Sequence, residues 1–124
     1  MAKLYFNYSS MNAGKSTALL QANHNYLERG MKTKMFTFSG DNRYEENRIV
    51  SRIGISADAL PFSKDTDLFR SLIEDKDQKE IKCVLIDEAQ FLTKEQVAQL
   101  GRIVDELDTA VLAFGIRTDF QGEL

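Results

Sequence analysis

The chain has 124 residues, enough for one small domain and too few for two ordinary ones. Hydrophobic residues make up 43% and charged residues 28%, with a net charge of −3, a globular balance with no basic stripe to neutralise nucleic-acid phosphates. No apolar run approaches the roughly 20 residues of a membrane span, and Met1 leads into a strand-like run rather than a signal peptide. A single cysteine, Cys83, excludes an intrachain disulfide and a cysteine-rich zinc site. The expected location is the cytoplasm, with neither membrane nor nucleic acid as a partner.

Lys3 to Tyr8 alternates like a strand, with Leu4, Phe6 and Tyr8 on one face and Tyr5 on the other. Apolar groups on both faces suit a sheet covered on both sides. Next comes Ser9-Ser10-Met11-Asn12-Ala13-Gly14-Lys15-Ser16, and then a helical run from Lys15 to Arg29. Strand, loop and helix with Gly-Lys-Ser at the helix start is the order a Walker A loop needs. Its backbone N–H groups form a nest for anions, and the helix dipole adds positive character. Gly14 lets the backbone approach a phosphate, Lys15 neutralises β- and γ-phosphate oxygens, and Ser16 offers a hydroxyl to Mg²⁺. The first glycine of the general pattern is replaced by Ser9, which is compatible with a position that needs no positive φ.

In the helix, Leu19, Leu20, Ala22, Tyr26 and Leu27 recur at helical spacing. Gly30 supplies the stop, and His24 reads as an exposed or rim residue. Lys32 to Ser39 reads as a second strand, so a parallel, right-handed crossover is expected. Asp41 and Arg43 follow it, and read either as a polar turn or as site residues that leave the sheet on the same edge as the phosphate loop. Between Glu45 and Phe62, Ile49-Val50 and Ile53-Gly54-Ile55 suggest short strands or an irregular hairpin. Pro61 reads as a break there. Arg48 and Arg52 are either solvated or on the phosphate side. Asp65 to Lys76 reads as a helix with Leu68, Phe69, Leu72 and Ile73 inward. Asp75 to Glu80 reads as a solvated, charged connection.

Ile81 to Asp87 is a buried strand that ends in Asp-Glu, a Walker B signature. Asp87 is placed to hold Mg²⁺ through water, and Glu88, one residue on, is free to take a proton. Cys83 reads as a small packing residue. Thr93 to Gln96 is a capping box that opens a helix whose inner face is Val97, Leu100, Ile103, Val104 and Leu107. Gly101 interrupts that helix, as for close packing. Ala110 to Gly115 is the last strand.

The Walker elements alone give a P-loop NTPase, in which Glu88 could orient water in an ATPase or deprotonate an acceptor hydroxyl in a kinase. Four stretches carry a more specific likeness: Ser9 to Thr17, Asp41-Asn42-Arg43-Tyr44, Asp87-Glu88-Ala89-Gln90-Phe91, and Gly115-Ile116-Arg117-Thr118-Asp119-Phe120. Together they resemble the thymidine kinases of the tetrameric, zinc-containing, cytosolic type, bacterial members above all.

The resemblance implies an α/β fold: a RecA-like P-loop core with a mainly parallel β-sheet flanked by helices. Ala110–Gly115 would then lie between the phosphate-loop strand and the Walker B strand. It implies transfer of the ATP γ-phosphate to the 5′-hydroxyl of thymidine or deoxyuridine. ATP would be bound by Ser9, Ser10, Met11, Asn12, Ala13, Gly14, Lys15 and Ser16, and by Asp87, Glu88, Ala89 and Gln90. Mg²⁺ would sit between Ser16 and Asp87. Glu88 would be the proton acceptor, and Arg43 would steady phosphate charge. Met11, Phe91, Ile116 and Phe120 would wall the thymine ring.

Family members continue into a small domain with four cysteines on a structural Zn²⁺ and a lasso that grips the base. The 124 residues reach Leu124 before it, so they are expected to be the P-loop ATP-binding domain, without that Zn²⁺. A tetramer follows by the same resemblance. A P-loop ATPase module and a non-catalytic nucleotide-binding remnant are the alternatives.

Overall fold

The computed structural model describes residues 2–9, 12–38, 48–50 and 56–116. In chain order the elements are β1 (Leu4–Ser9), α1 (Asn12–Glu28), β2 (Lys32–Phe38), β3 (Arg48–Val50), β4 (Ser56–Asp58) and β5 (Leu60–Phe62). They continue with α2 (Leu68–Ile73), β6 (Ile81–Asp87), α3 (Lys94–Leu107) and β7 (Ala110–Ile116). β3 and β4 pair antiparallel as a small hairpin. The other five strands form one sheet in the order β1-β7-β6-β2-β5, and every pairing is parallel. The last strand therefore lies between the phosphate-loop strand and the Walker B strand, as the RecA-like wiring requires.

The alternation of side chains along the central strands divides the core into two layers. Cys83, Leu85, Met35 and Phe114 face α1 and pack with Leu19 and Leu20. Val84, Ile86, Phe36, Val111 and Ala113 face the other way, onto Leu68, Phe69 and Leu72 of α2 and Leu100 and Ile103 of α3. β6 is nearly continuously apolar because both its faces are covered. Cys83 is fully buried, and that burial pushes its thiol up to about 12, so it packs as an inert small residue.

The helix ends are fixed by sequence chemistry. Gly30 (φ +79) closes α1 with paired hydrogen bonds, Gly30 N to Leu27 O at 3.0 Å and Met31 N to Tyr26 O at 3.1 Å, a Schellman arrangement. Thr93 and Gln96 form the expected capping box, each bond 3.1 Å long. The fully buried Gln96 amide also donates to the Ser63 and Thr66 carbonyls at 2.7 and 3.0 Å, tying the β5–α2 connection to α3. Thr93→Ala should cost about 1 kcal/mol, the usual value of a cap. Gln96→Leu removes the cap partner and both carbonyl contacts, so it should cost about 2–4 kcal/mol and lower Tm by about 8–15 °C. Thermal unfolding followed by circular dichroism checks both, and equal losses would deny Gln96 its second role.

Several expectations change. α1 begins at Asn12, three residues before Lys15. Ile73 is about half exposed rather than inward, because it falls at the rim of the buried stripe of α2, and Leu27, in the last turn of α1, is half exposed as well. α2 is shorter than Asp65–Lys76; the Asp67 side chain caps it by accepting from Arg70 N. A Cβ on Gly101 would meet nothing within 4 Å among the described residues, so that glycine serves no close packing there. Pro61 does not break the strand. It sits in β5 at the sheet edge, where a missing donor is tolerated. β1 is the opposite edge, and Tyr5, Phe6 and Tyr8 remain 54%, 41% and 43% exposed, so β1 is not covered on both sides by the described residues. Ile53–Ile55 lie outside the described residues, and Arg48 and Arg52 have no described side chains.

Asp75 is also more than a solvated charge. It accepts from Lys34 Nζ at 2.6 Å in a cleft between the β2–β5 edge and the end of α2. That hydrogen bond, helped by the Asp77 backbone N–H, holds the Asp75 carboxyl below the usual aspartate range. A lowered folded value means the stabilisation is fully present above the unfolded value near pH 4 and is lost as pH falls through the folded one. Lys34→Met should therefore flatten the acid side of the stability profile. Urea midpoints measured from pH 6 down to 3 test this, and an unchanged profile contradicts it.

Candidate active site

Because all five main strands run parallel, their carboxyl ends share one edge of the sheet. β1 ends at Ser9, level with Ile116 at the end of β7. β6 ends at Asp87, level with Thr37 on β2. In open parallel sheets this edge is where ligands bind. The loop after β1 leads into the 17-residue helix α1, whose first turn contains Asn12, Ala13, Gly14 and Lys15, so the Gly-Lys-Ser segment opens a helix at the ligand edge. Free backbone N–H groups and the dipole of a helix start favour phosphate there.

Asp87 is only 6% exposed, and its Oδ1 accepts from the Glu88 backbone N–H at 2.9 Å. Glu88 adopts a left-handed conformation, φ 61 and ψ 43. For a residue with a Cβ this conformation costs roughly 1–2 kcal/mol, and such strain gathers where a side chain must be aimed. Glu88 opens a short 3-10 turn, Ala89–Phe91, closed by Phe91 N to Glu88 O at 3.1 Å. The turn directs Glu88 away from the strand while Asp87 stays in it. Ala89 is buried beneath the turn and packs with the α2–α3 layer.

Gln90 links two strand ends. Its Nε2 donates to Glu88 Oε1 at 2.8 Å, and its Oε1 accepts from Ile116 N at 3.1 Å. Gly115 makes room for it: a Cβ there would lie 2.8 Å from Gln90 Oε1 and 2.8 Å from the Tyr8 ring. Phe91 is 44% exposed and stacks on Phe38 with centroids 4.6 Å apart, and Phe38 meets Phe62 edge-on at 5.4 Å. The aromatic row Phe91–Phe38–Phe62 thus runs across the ends of β2 and β5.

Among the expected site residues, the structure brings Ser9, Asp87, Glu88, Ala89, Gln90, Phe91 and Ile116 to one sheet edge, with the backbone of Asn12, Ala13, Gly14, Lys15 and Ser16 following from it. Ser10, Met11, Asp41, Arg43 and Phe120 lie outside the described residues, and the side chains of Ser9 and 12–16 are not described. Phe38, Tyr8 and Gly115 join the site without having been singled out for it. Phe38 and Tyr8 stand at or beside the carboxyl ends of parallel strands, the one signal that could have found them.

A buried carboxylate at this edge is the hard oxygen donor that Mg²⁺ prefers, and a helix start is suited to phosphate, so the residues fit Mg²⁺ and ATP. Among the described residues no helix is long and apolar enough to cross a membrane.

A family model described as "Thymidine kinase" matches residues 2–124. A "Thymidine kinase" of Salmonella typhimurium is 53% identical over all 124 residues, which cover 60% of that protein. Those of Ruegeria pomeroyi and Shewanella oneidensis are 57% and 55% identical over the whole chain, with 63% and 65% of their lengths covered. The chain thus spans somewhat under two thirds of the length of these curated relatives. With the family match over nearly every residue, and the parallel sheet and Walker B strand end in place, the chain belongs to the thymidine kinase family.

Proposed function

We propose that residues 1–124 are the P-loop ATP-binding domain of a thymidine kinase that transfers the γ-phosphate of ATP to the 5′-hydroxyl of thymidine or deoxyuridine. The observation that carries this reading is the strand end of β6: a buried Asp87 followed by Glu88 turned out of the strand and held by Gln90. One carboxylate stays in the strand and the next leaves it, so two neighbouring acids can do different work.

Ser9 to Ser16 cradle the phosphates, with Lys15 on the β- and γ-oxygens. Asp87 and Ser16 would hold Mg²⁺. Mg²⁺ bound there supplies charge neutralisation on the phosphate oxygens. Glu88 accepts the proton of the nucleoside 5′-hydroxyl as it attacks. Arg43 steadies the charge on the transferred group. Phe91, stacked on Phe38, offers a flat apolar wall to the thymine, with Ile116 at the end of β7, and Met11 and Phe120 complete that wall. A cytoplasmic homotetramer accompanies this reading.

The test is formation of labelled thymidine monophosphate from labelled ATP, in a chain extended to the length of its relatives. Nucleoside-dependent ADP release supports the kinase. ATP hydrolysis unaffected by thymidine would make Glu88 a water-orienting residue instead.

A further inference from the structure

We infer that Gln90 is a positioning residue for Glu88, and that it sets the aim of the proton acceptor from the end of β7 rather than by contact with the nucleotide. The inference rests on the proposed role of Glu88. The orientation of the Gln90 amide is fixed by its partners. A carboxylate can only accept and a backbone N–H can only donate, so Nε2 must face Glu88 and Oε1 must face Ile116. Both ends of the amide are therefore committed inside the protein.

The backbone of Glu88 is already held on either side, by Asp87 Oδ1 on its N–H and by Phe91 N on its carbonyl. Those bonds fix where the side chain starts. The bond from Gln90 holds one oxygen of the carboxylate, Oε1. The anchor for that bond is β7, an interior strand of the sheet.

Gly115 is the third part of the arrangement. The position of a Cβ there is 2.8 Å from Gln90 Oε1, 2.8 Å from Tyr8 Cε1 and 3.0 Å from the Gln90 backbone N. The first two neighbours are side-chain atoms; the last is backbone and cannot swing aside. A methyl group at 115 must displace Gln90 and so disturb its bond to Glu88. Gly115→Ala and Gln90→Met should thus share one phenotype although they alter different residues.

The experiment is steady-state kinetics in a thymidine kinase of the relatives' full length carrying these 124 residues. Gln90→Met, Gly115→Ala, Glu88→Gln and the double variant Gln90→Met/Glu88→Gln are compared. Gln90→Met and Gly115→Ala should each lower kcat by about 10- to 100-fold, the usual cost of a misaimed catalytic group, with the KM for ATP within about 2-fold of wild type. In the Glu88→Gln background, Gln90→Met should have little further effect, because a residue that acts through Glu88 has nothing left to position. If Gln90→Met fails to fold, Gln90→Asn, one methylene too short to bridge, takes its place.

A raised KM for ATP with kcat preserved would overturn the inference and make Gln90 a nucleotide contact. Fully multiplicative losses in the double variant would also overturn it, by showing an effect independent of Glu88. Full activity of Glu88→Gln alone would overturn the underlying role of Glu88. That result is distinct from a Glu88→Gln variant that is inactive while Gln90→Met is not, which would overturn only the role of Gln90.

Discussion

Glu88→Gln should leave ATP binding intact and lower thymidine phosphorylation by roughly 10²- to 10⁴-fold, the usual worth of a general base. In barrier terms that is about 3–5 kcal/mol. The substitution is chosen because the surroundings accept it. The amide oxygen of glutamine can still accept from Gln90 Nε2, the bond that is 2.8 Å long in the parent, so that contact survives while the proton affinity is lost. The turn from Glu88 to Phe91 is held by backbone bonds that the substitution does not touch. Quantified thymidine monophosphate, with ATP affinity measured in parallel by calorimetry, checks the prediction. Activity within a few-fold of the parent would place the proton acceptor elsewhere. Loss of ATP binding would mean that Glu88 acts on the nucleotide instead.

Much of the scaffold behind that prediction was legible in the residues. β6 announced itself because a parallel strand covered on both faces must be apolar at nearly every position, and Ile81 to Ile86 is apolar save for Lys82. The capping box at Thr93 and the stop at Gly30 are local hydrogen-bond chemistry, so they survive any tertiary context. What escaped was whatever depends on distant partners. Nothing in the pattern of β1 says that it is an edge, since Leu4, Tyr5, Phe6 and Tyr8 would serve equally well in the middle of a sheet. Pro61 looked like a break because the same residue stops a central strand and is tolerated at an edge. The second role of Gln96 was hidden because the capping box already accounted for it, whereas its bonds to Ser63 and Thr66 depend on a segment about 30 residues away. Gln90 could be placed in the nucleotide loop by resemblance, but its clasp between Glu88 and Ile116 exists only once β6 and β7 are neighbours. Local chemistry marked the candidate edge of the sheet, and strand order decided which residues meet there.

Lys15→Met should weaken Mg-ATP binding by about 10- to 100-fold, the equivalent of the roughly 1.5–3 kcal/mol of one hydrogen bond to a charged group. It should do so without loss of fold. The position lies in the first turn of α1, a helix start at the ligand edge of the sheet. There a cation is not needed to stabilise the helix, because its positive dipole end already lies there. The stability of α1 comes instead from Leu19 and Leu20 lower down, both essentially fully buried against Leu85, Cys83 and Phe114. Removing the Lys15 charge should therefore subtract a phosphate partner and leave that packing in place. The expected pattern is a retained cooperative fold without nucleotide, together with a smaller upward shift of Tm on adding Mg-ATP, because a bound ligand stabilises more the more tightly it binds. Calorimetric titration gives the affinity directly. A variant that binds ATP as tightly as the parent would remove Lys15 from the phosphate site, and with it the assignment of Ser9 to Ser16 as the phosphate loop.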